Sequence, residues 1–228
     1  MSTKTLIRTP LLAGLAGLLA CLNPFFAQAE DWQEGVHYAL LPVPVDTQTP
    51  EQIEIVEVFS YACVHCYTFD PLLDEWLAGL PDDVGFRRIP ATFNKTWGLL
   101  AQVFYTAQVL GVREAMHMPI FRAIHEPEEA LDLRKQEFLE QLFREIGQVD
   151  PADFNNAFGS FSVRSRVQQA DAHGRAYRIS GVPSLIVNGK YRVDGTMAGG
   201  NANMLKIVEY LVAQERAAAG SHVADGAQ

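Results

Sequence analysis

Cysteine is scarce in this 228-residue chain, with only Cys21, Cys63 and Cys66, and bases are the rarer charge, 18 Lys and Arg against 27 Asp and Glu for a formal net of −9. Three cysteines cannot build the several-bridge framework of a disulfide-stapled scaffold. Nor do they supply the two Cys pairs of a structural zinc site, and His37, His65, His117, His125 and His173 are scattered without ligand spacing, so no metal is expected. The shortage of bases argues against nucleic acid or an anionic membrane as partner, since both demand an excess of Lys and Arg. Beyond the first thirty residues there is no apolar run of the roughly 20 residues that a bilayer span needs. Internal repeats are absent, and so are low-complexity tracts before the small-residue tail AAAGSHVADGAQ.

What is present begins with Lys4 and Arg8, an apolar stretch from Leu11 to Phe26, and Ala27-Gln28-Ala29 ahead of Glu30-Asp31. That is the basic, apolar, small-residue order of a secretory signal peptide, with cleavage expected after Ala29 and export to an oxidising compartment. A membrane anchor is the competing reading, but Gly14, Gly17 and Asn23 interrupt the run and it is short of a span. Leu18-Leu19-Ala20-Cys21 loosely resembles a lipobox, which would put a lipid on Cys21, although Leu19 is unusual in that position. On any of these readings Cys21 is no structural thiol of the folded domain. The first 29 positions hold two bases and no acid, so the remaining 199 carry 16 bases against 27 acids, a net of −11. That length suffices for one well-buried core with an elaboration, or for two small domains.

Residues 53–60, IEIVEVFS, are β-branched and mostly apolar without clean alternation, the pattern of a strand buried on both faces of a parallel or mixed sheet. Phe69, Leu72, Leu73, Trp76, Leu77 and Leu80 then recur at helical spacing, with Pro71 predicting a kink or restart. Residues 84–89 read as a second strand. Residues 96–162 hold no convincing strand and carry amphipathic stripes (Trp97, Leu100, Ala101, Phe104; Leu139, Leu142, Phe143, Ile146), with Asp150-Pro151 as a helix start. A further helix at about 163–179 leads to two strands, 183–187 and 190–193, joined by a two-residue Asn188-Gly189 turn. A last helix spans about 201–216. The expected fold class is therefore α/β: a small sheet domain formed by 30–95 and 163–218, an all-helical insertion at 96–162, and a loose tail at 219–228.

The chemistry sits in Cys63-Val64-His65-Cys66, at the junction of strand and helix. Positions three apart share one helix face at about 5–6 Å, close enough for a bridge after small adjustments. A bridge over so small a ring removes little chain entropy, so the spacing suits redox chemistry better than stapling. A thiol at a helix N-terminus faces unpaired N–H groups and the positive dipole end, which favour thiolate over thiol. Cys63 is thus expected to be exposed and acidic, and Cys66 shielded. Stabilising the thiolate makes the disulfide the less stable partner and biases it toward being handed on. His65 can add positive charge and a hydrogen-bond donor near Cys63, or be merely a solvated first-turn residue. Glu57, six residues before Cys63, is either a buried acid able to relay protons for Cys66 or an edge-strand acid reaching water. Without further reason the Val182-Pro183 bond reads as trans. A static bridge in a non-catalytic binding module or chaperone remains the bland alternative.

The segments EVFSYACVHCY (57–67) and GVPSLIVNGKY (181–191), with a helical block between them, resemble the bacterial periplasmic thiol:disulfide oxidoreductases of the DsbA family. The resemblance runs from about Trp32 to Ala219. It implies a thioredoxin fold split by a helical domain, catalytic Cys63 and resolving Cys66, and redox tuning by Val64, His65 and Glu57. It further implies a cis Val182-Pro183 bond at a substrate-binding strand, and a base at Arg88 paired with Glu57. No cofactor is implied beyond a redox-active Cys63–Cys66 disulfide. The partners implied are unfolded exported proteins with free cysteines and a DsbB-like quinone-linked membrane reoxidase, with the protein itself a monomer. Val-His stands where many members carry Pro-His, a departure at the pair that tunes the couple. A disulfide isomerase or reductase of the same fold is the nearest rival function.

Overall fold

The β-branched run at 53–59 becomes the second strand of a five-stranded sheet made of β1 (Ala39–Leu40), β2 (Ile53–Phe59), β3 (Val84–Pro90), β4 (Ser184–Val187) and β5 (Tyr191–Asp194). The computed structural model describes residues 31–126 and 135–225. The expected leader at 1–29, the lipobox cysteine and the last residues of the tail lie outside the described residues. The strand order is β1-β5-β4-β2-β3. Parallel pairing joins β2 to β3, and the β2–β4, β4–β5 and β1–β5 pairs are antiparallel, so the sheet is mixed.

Flanked on both sides, β2 buries every residue from Glu54 to Phe59. Its lack of apolar–polar alternation follows, because each face is covered by helices. Ile55 packs with Phe69 and Leu73 of α1 (Val64–Leu77) and with Met204, Ile207, Val208 and Leu211 of α8 (Asn201–Asp225). On the other face Val56 and Val58 join Phe104 of α2 (Lys95–Val109), and Val163 and Ala170 of α6 (Phe161–Ala176). Between α2 and α6 lie α3 (Arg113–His125), α4 (Gln136–Glu145) and α5 (Pro151–Phe158). No strand interrupts this block among the described residues. Helix and sheet parts belong to one compact unit from Trp32 onward.

Side-chain caps set several helix starts. Asn94 accepts from Trp97 N at 3.0 Å, Asp150 from Ala152 N at 2.8 Å and Ser160 from Val163 N at 3.1 Å, each worth about 1 kcal/mol against alanine.

Four features differ from the sequence reading. Pro71 neither breaks nor restarts α1, which runs through it as one helix, its Phe69 and Leu73 anchored in the core. The last helix continues past Arg216 to Asp225, where an alanine-rich sequence of high helix propensity carries the backbone on. Short β1 and the four-residue α7 (Gly195–Ala198) carry too little periodicity to be read from residues alone.

The hairpin turn is the fourth. Asn188 and Gly189 both take positive φ (49° and 63°), as an Asn-Gly turn demands. Yet Val187 pairs with Tyr191, so three residues, 188–190, separate the strands. The extra residue serves the N-terminal arm: Lys190 O accepts from Leu41 N at 2.7 Å and Gly189 O from Val45 N at 2.8 Å.

Candidate active site

Strand β2 ends at Phe59, and the chain turns through Ser60, whose backbone O accepts from Cys63 N at 3.0 Å and whose hydroxyl accepts from Ala62 N at 3.2 Å. That turn delivers Cys63 as the N-cap of α1, in extended geometry (φ −96°, ψ 114°) and with no side-chain oxygen capping the helix. Its sulfur thus occupies the place a capping oxygen would take. The Cys66 side chain, the backbone N–H groups of Cys66 and His65, and the charge of His65 together hold the Cys63 thiol down to about 6, against the opposing effect of partial burial. Cys66, one turn inside, is fully buried; burial pushes its thiol far up, with Cys63 and the Glu57 carboxylate adding to the effect. Both thiols are free, and their environments drive their acidities apart.

Opposite Cys63 stands the loop ahead of β4. The Val182-Pro183 peptide is cis, as the resemblance implies and contrary to the trans reading of the residues alone. Cys63 Sγ lies 3.4 Å from Val182 O. A cavity of about 590 Å³ opens here, lined by His65, Val182, Pro183, Arg192, Met197 and Asn201 among others. Val64 is half exposed beside it. Cys63, His65, Val182 and Pro183 therefore converge on one surface, where an extended chain has room to lie beside the sulfur.

Glu57 lies beneath, 1% exposed, which answers the question its sequence position leaves open: β2 is internal, so this acid does not reach water from a sheet edge. Burial raises its carboxyl to about 7, against the lowering influence of Arg88. Arg88, on β3 directly across from Glu57 in the parallel register, donates Nε to Glu57 at 2.8 Å. Its Nη2 reaches Asp70 at 3.0 Å and Asp74 at 2.9 Å, both on α1.

From there the polar chain continues into the helical block. His117 Nε2 lies 3.0 Å from the same Asp70 oxygen, and His117 Nδ1 is 2.8 Å from the Tyr61 hydroxyl. Asp70, His117 and Tyr61 are all buried, and the second Asp70 oxygen has no hydrogen-bond partner among the described residues. None of the three is legible as a site residue. Asp70 alone left a trace, as an acid between Phe69 and Leu73 on the core face of its helix. A second buried acid also went unread: Glu54, 1% exposed, receives Arg87 at 2.9 and 3.1 Å.

No group of three or more His, Cys, Asp or Glu side chains forms a metal cage among the described residues, and no described helix is long and apolar enough to cross a membrane.

Comparison with known proteins identifies the family. Residues 86–212 match the family model described as DSBA-like thioredoxin domain, a stretch that begins after the cysteine pair. The thiol:disulfide interchange protein DsbA of Azotobacter vinelandii is 39% identical over 215 residues, covering 94% of this chain and 99% of the relative. Its namesake in Pseudomonas aeruginosa PAO1 is 39% identical over 216 residues, 95% of this chain and 99% of that one. The crystal structure of Pseudomonas aeruginosa DsbA superposes with a TM-score of 0.78 at 39% identity, covering 84% of this chain and 98% of that chain. DsbA from Xylella fastidiosa gives 0.74 at 34% identity, with 79% and 96% covered. With its α/β sheet split by a helical block and a thiol held acidic at the head of α1, the chain belongs to the DsbA family of thioredoxin-fold thiol:disulfide oxidoreductases.

Proposed function

We propose that Cys63 and Cys66 are the catalytic pair of a periplasmic dithiol oxidase that introduces disulfide bonds into newly exported proteins. In the oxidised state a substrate thiolate attacks Cys63 Sγ, the accessible sulfur; the Cys63–Cys66 bond breaks and Cys66 leaves as a thiolate. Buried Cys66 then takes up a proton, supplied by Glu57, which holds one up to about 7 and whose charge acts on Cys66. A second substrate thiolate attacks the substrate sulfur of the mixed disulfide. Cys63 departs as the thiolate its surroundings favour, and the substrate leaves carrying its new bond. Two thiols of the substrate are oxidised and one disulfide of the enzyme is reduced.

Val182 and Pro183 form the substrate-binding edge in this reading, where the backbone at Val182 pairs with an extended segment. His65 and Val64 tune the couple, His65 through its charge and the backbone N–H it turns toward Cys63. Regeneration of the oxidised form falls to a quinone-linked membrane partner of the DsbB type. The reaction needs no metal or organic cofactor, the enzyme acts as a monomer, and the 96–162 segment, which holds α3 to α5 and most of α2, is an insertion domain.

The observation that carries the proposal is the split between the two thiols, with Cys63 accessible and held down to about 6 while Cys66 is buried and held protonated. Thiolate absorbance of the reduced protein against pH, with a glutathione redox equilibrium, tests it. We expect Cys63 to titrate well below the ordinary thiol value of about 8.5, with the protein's disulfide reduced by glutathione. A Cys63 that titrates near that ordinary value, or a disulfide that glutathione leaves intact, overturns the oxidase reading.

A further inference from the structure

Away from the cysteines, where the edge strand β3 meets α2 and α6, the surface holds a half-open cavity of about 130 Å³. Among the described residues its wall carries Arg87, Arg88, Arg113, Arg166 and His173 and no carboxylate. In a chain with 27 acids and 18 Lys and Arg residues, four guanidiniums around so small a space run against the composition.

The arginines arrive from three elements, Arg87 and Arg88 from β3, Arg113 from the first turn of α3 and Arg166 from α6. Arg87 and Arg88 have carboxylate partners, but these lie outside the cavity wall: Glu54 for the first, Glu57, Asp70 and Asp74 for the second. Those bonds engage Nε and Nη2 and leave Nη1 of each guanidinium without a hydrogen bond among the described residues. Among the described residues Arg113 pairs only with its exposed neighbour Glu114, a contact that water weakens. Arg166 is exposed and has no ion-pair or hydrogen-bond partner among the described residues. Helix α3 opens beside the cavity with no side-chain cap on its N-terminus.

Neutral donors complete the wall. Tyr105 is buried, and burial pushes its phenol up to about 12, so it retains its O–H. Buried Gln108 Oε1 has no hydrogen-bond partner among the described residues, and a half-turn of the amide presents its NH₂ to the same space.

We propose that this cavity binds a small tetrahedral oxyanion of the phosphate and sulfate class, gripped by Arg87, Arg113 and Arg166 with Gln108 and Tyr105 as neutral donors. Guanidiniums approaching from separate elements suit oxygens spread over a tetrahedron, whereas a planar carboxylate is satisfied by one arginine fork. The volume admits a free anion or the phosphate end of a monoester.

Isothermal titration of the oxidised full chain with inorganic phosphate, with glycerol 3-phosphate, and with chloride at matched ionic strength tests the site. Saturable one-to-one binding of phosphate or its ester, absent with chloride, is expected, and the tighter of the two identifies a free anion or a monoester as occupant. The double variant Arg113→Gln/Arg166→Gln should bind at least about tenfold more weakly while its Cys63 titration stays unchanged. Arg166→Gln alone, at an exposed and unpaired position, keeps the test decisive should the double variant not fold. Phosphate and ester indistinguishable from chloride, or undiminished binding by the folded variants, overturns the proposal.

Discussion

Glu57 keeps its proton up to about 7 because β2 buries it between two other strands, and Arg88 offsets that burial only in part. An unfolded glutamate loses its proton near about 4.3. Between those values the unfolded chain releases a proton that the folded chain retains, so this residue's contribution to stability is complete below about 4.3 and is lost as pH rises through about 7. Glu57→Gln cannot ionise. Its stability relative to the parent, measured by denaturant titration, should therefore climb as pH passes from about 4.3 to about 7, and a pH-independent difference would contradict the burial argument. Legibility at this scale follows sequence distance. Cys63 and Cys66 were readable because one helical turn contains their whole geometry. Asp70, His117 and Tyr61 were not, because His117 stands 47 residues from Asp70 and 56 from Tyr61, and only the packing of α3 against α1 joins them. Arg88 was reachable solely through the family resemblance.

At the scale of elements, the hairpin shows local chemistry read correctly and its tertiary use missed. Asn188-Gly189 announced a turn, but the third turn residue exists to face an arm that the sequence does not mark. Gly189 has two reasons to be glycine: φ is +63°, and a Cβ there would lie 1.9 Å from Val45 O. Gly189→Ala should therefore lower stability by more than the roughly 1 kcal/mol of backbone strain alone. It should also loosen the arm, so that the Leu41 and Val45 amides, which now bond to the turn, exchange with deuterium faster than those of β2. Arm amides as protected as before would show that the close approach does not constrain the turn. Elements whose periodicity spans several turns, such as α2 and α8, were legible; β1 and α7, of two and four residues, were not.

For the whole molecule, the acidity of one sulfur links redox state to stability. Folded Cys63 ionises at about 6 and an unfolded thiol at about 8.5. The stabilisation of the reduced protein is complete above about 8.5 and is lost as pH falls through about 6. The oxidised protein has no ionisable sulfur in the pair and lacks this gain. Paired denaturant curves should thus show the reduced form pulling ahead of the oxidised form as pH rises across that window. Above it the trend reverses, because buried Cys66 keeps a proton that an unfolded thiol gives up. Parallel curves for the two forms would sink the assignment. The α/β class was legible from the order of periodic segments, whereas the mixed sheet order was not, since β2 finds its β4 neighbour across the whole helical block.

That order has a consequence for a nascent chain. Synthesis delivers Cys63 119 residues before Val182, the carbonyl that will sit against its sulfur, and β2 waits as long for the strand that shields it. Until the final quarter arrives, two thiols and an unclosed sheet edge are open to whatever oxidant, chaperone or neighbouring polypeptide is at hand. Newly made copies of this enzyme are thus briefly in the same condition as the proteins it is proposed to oxidise.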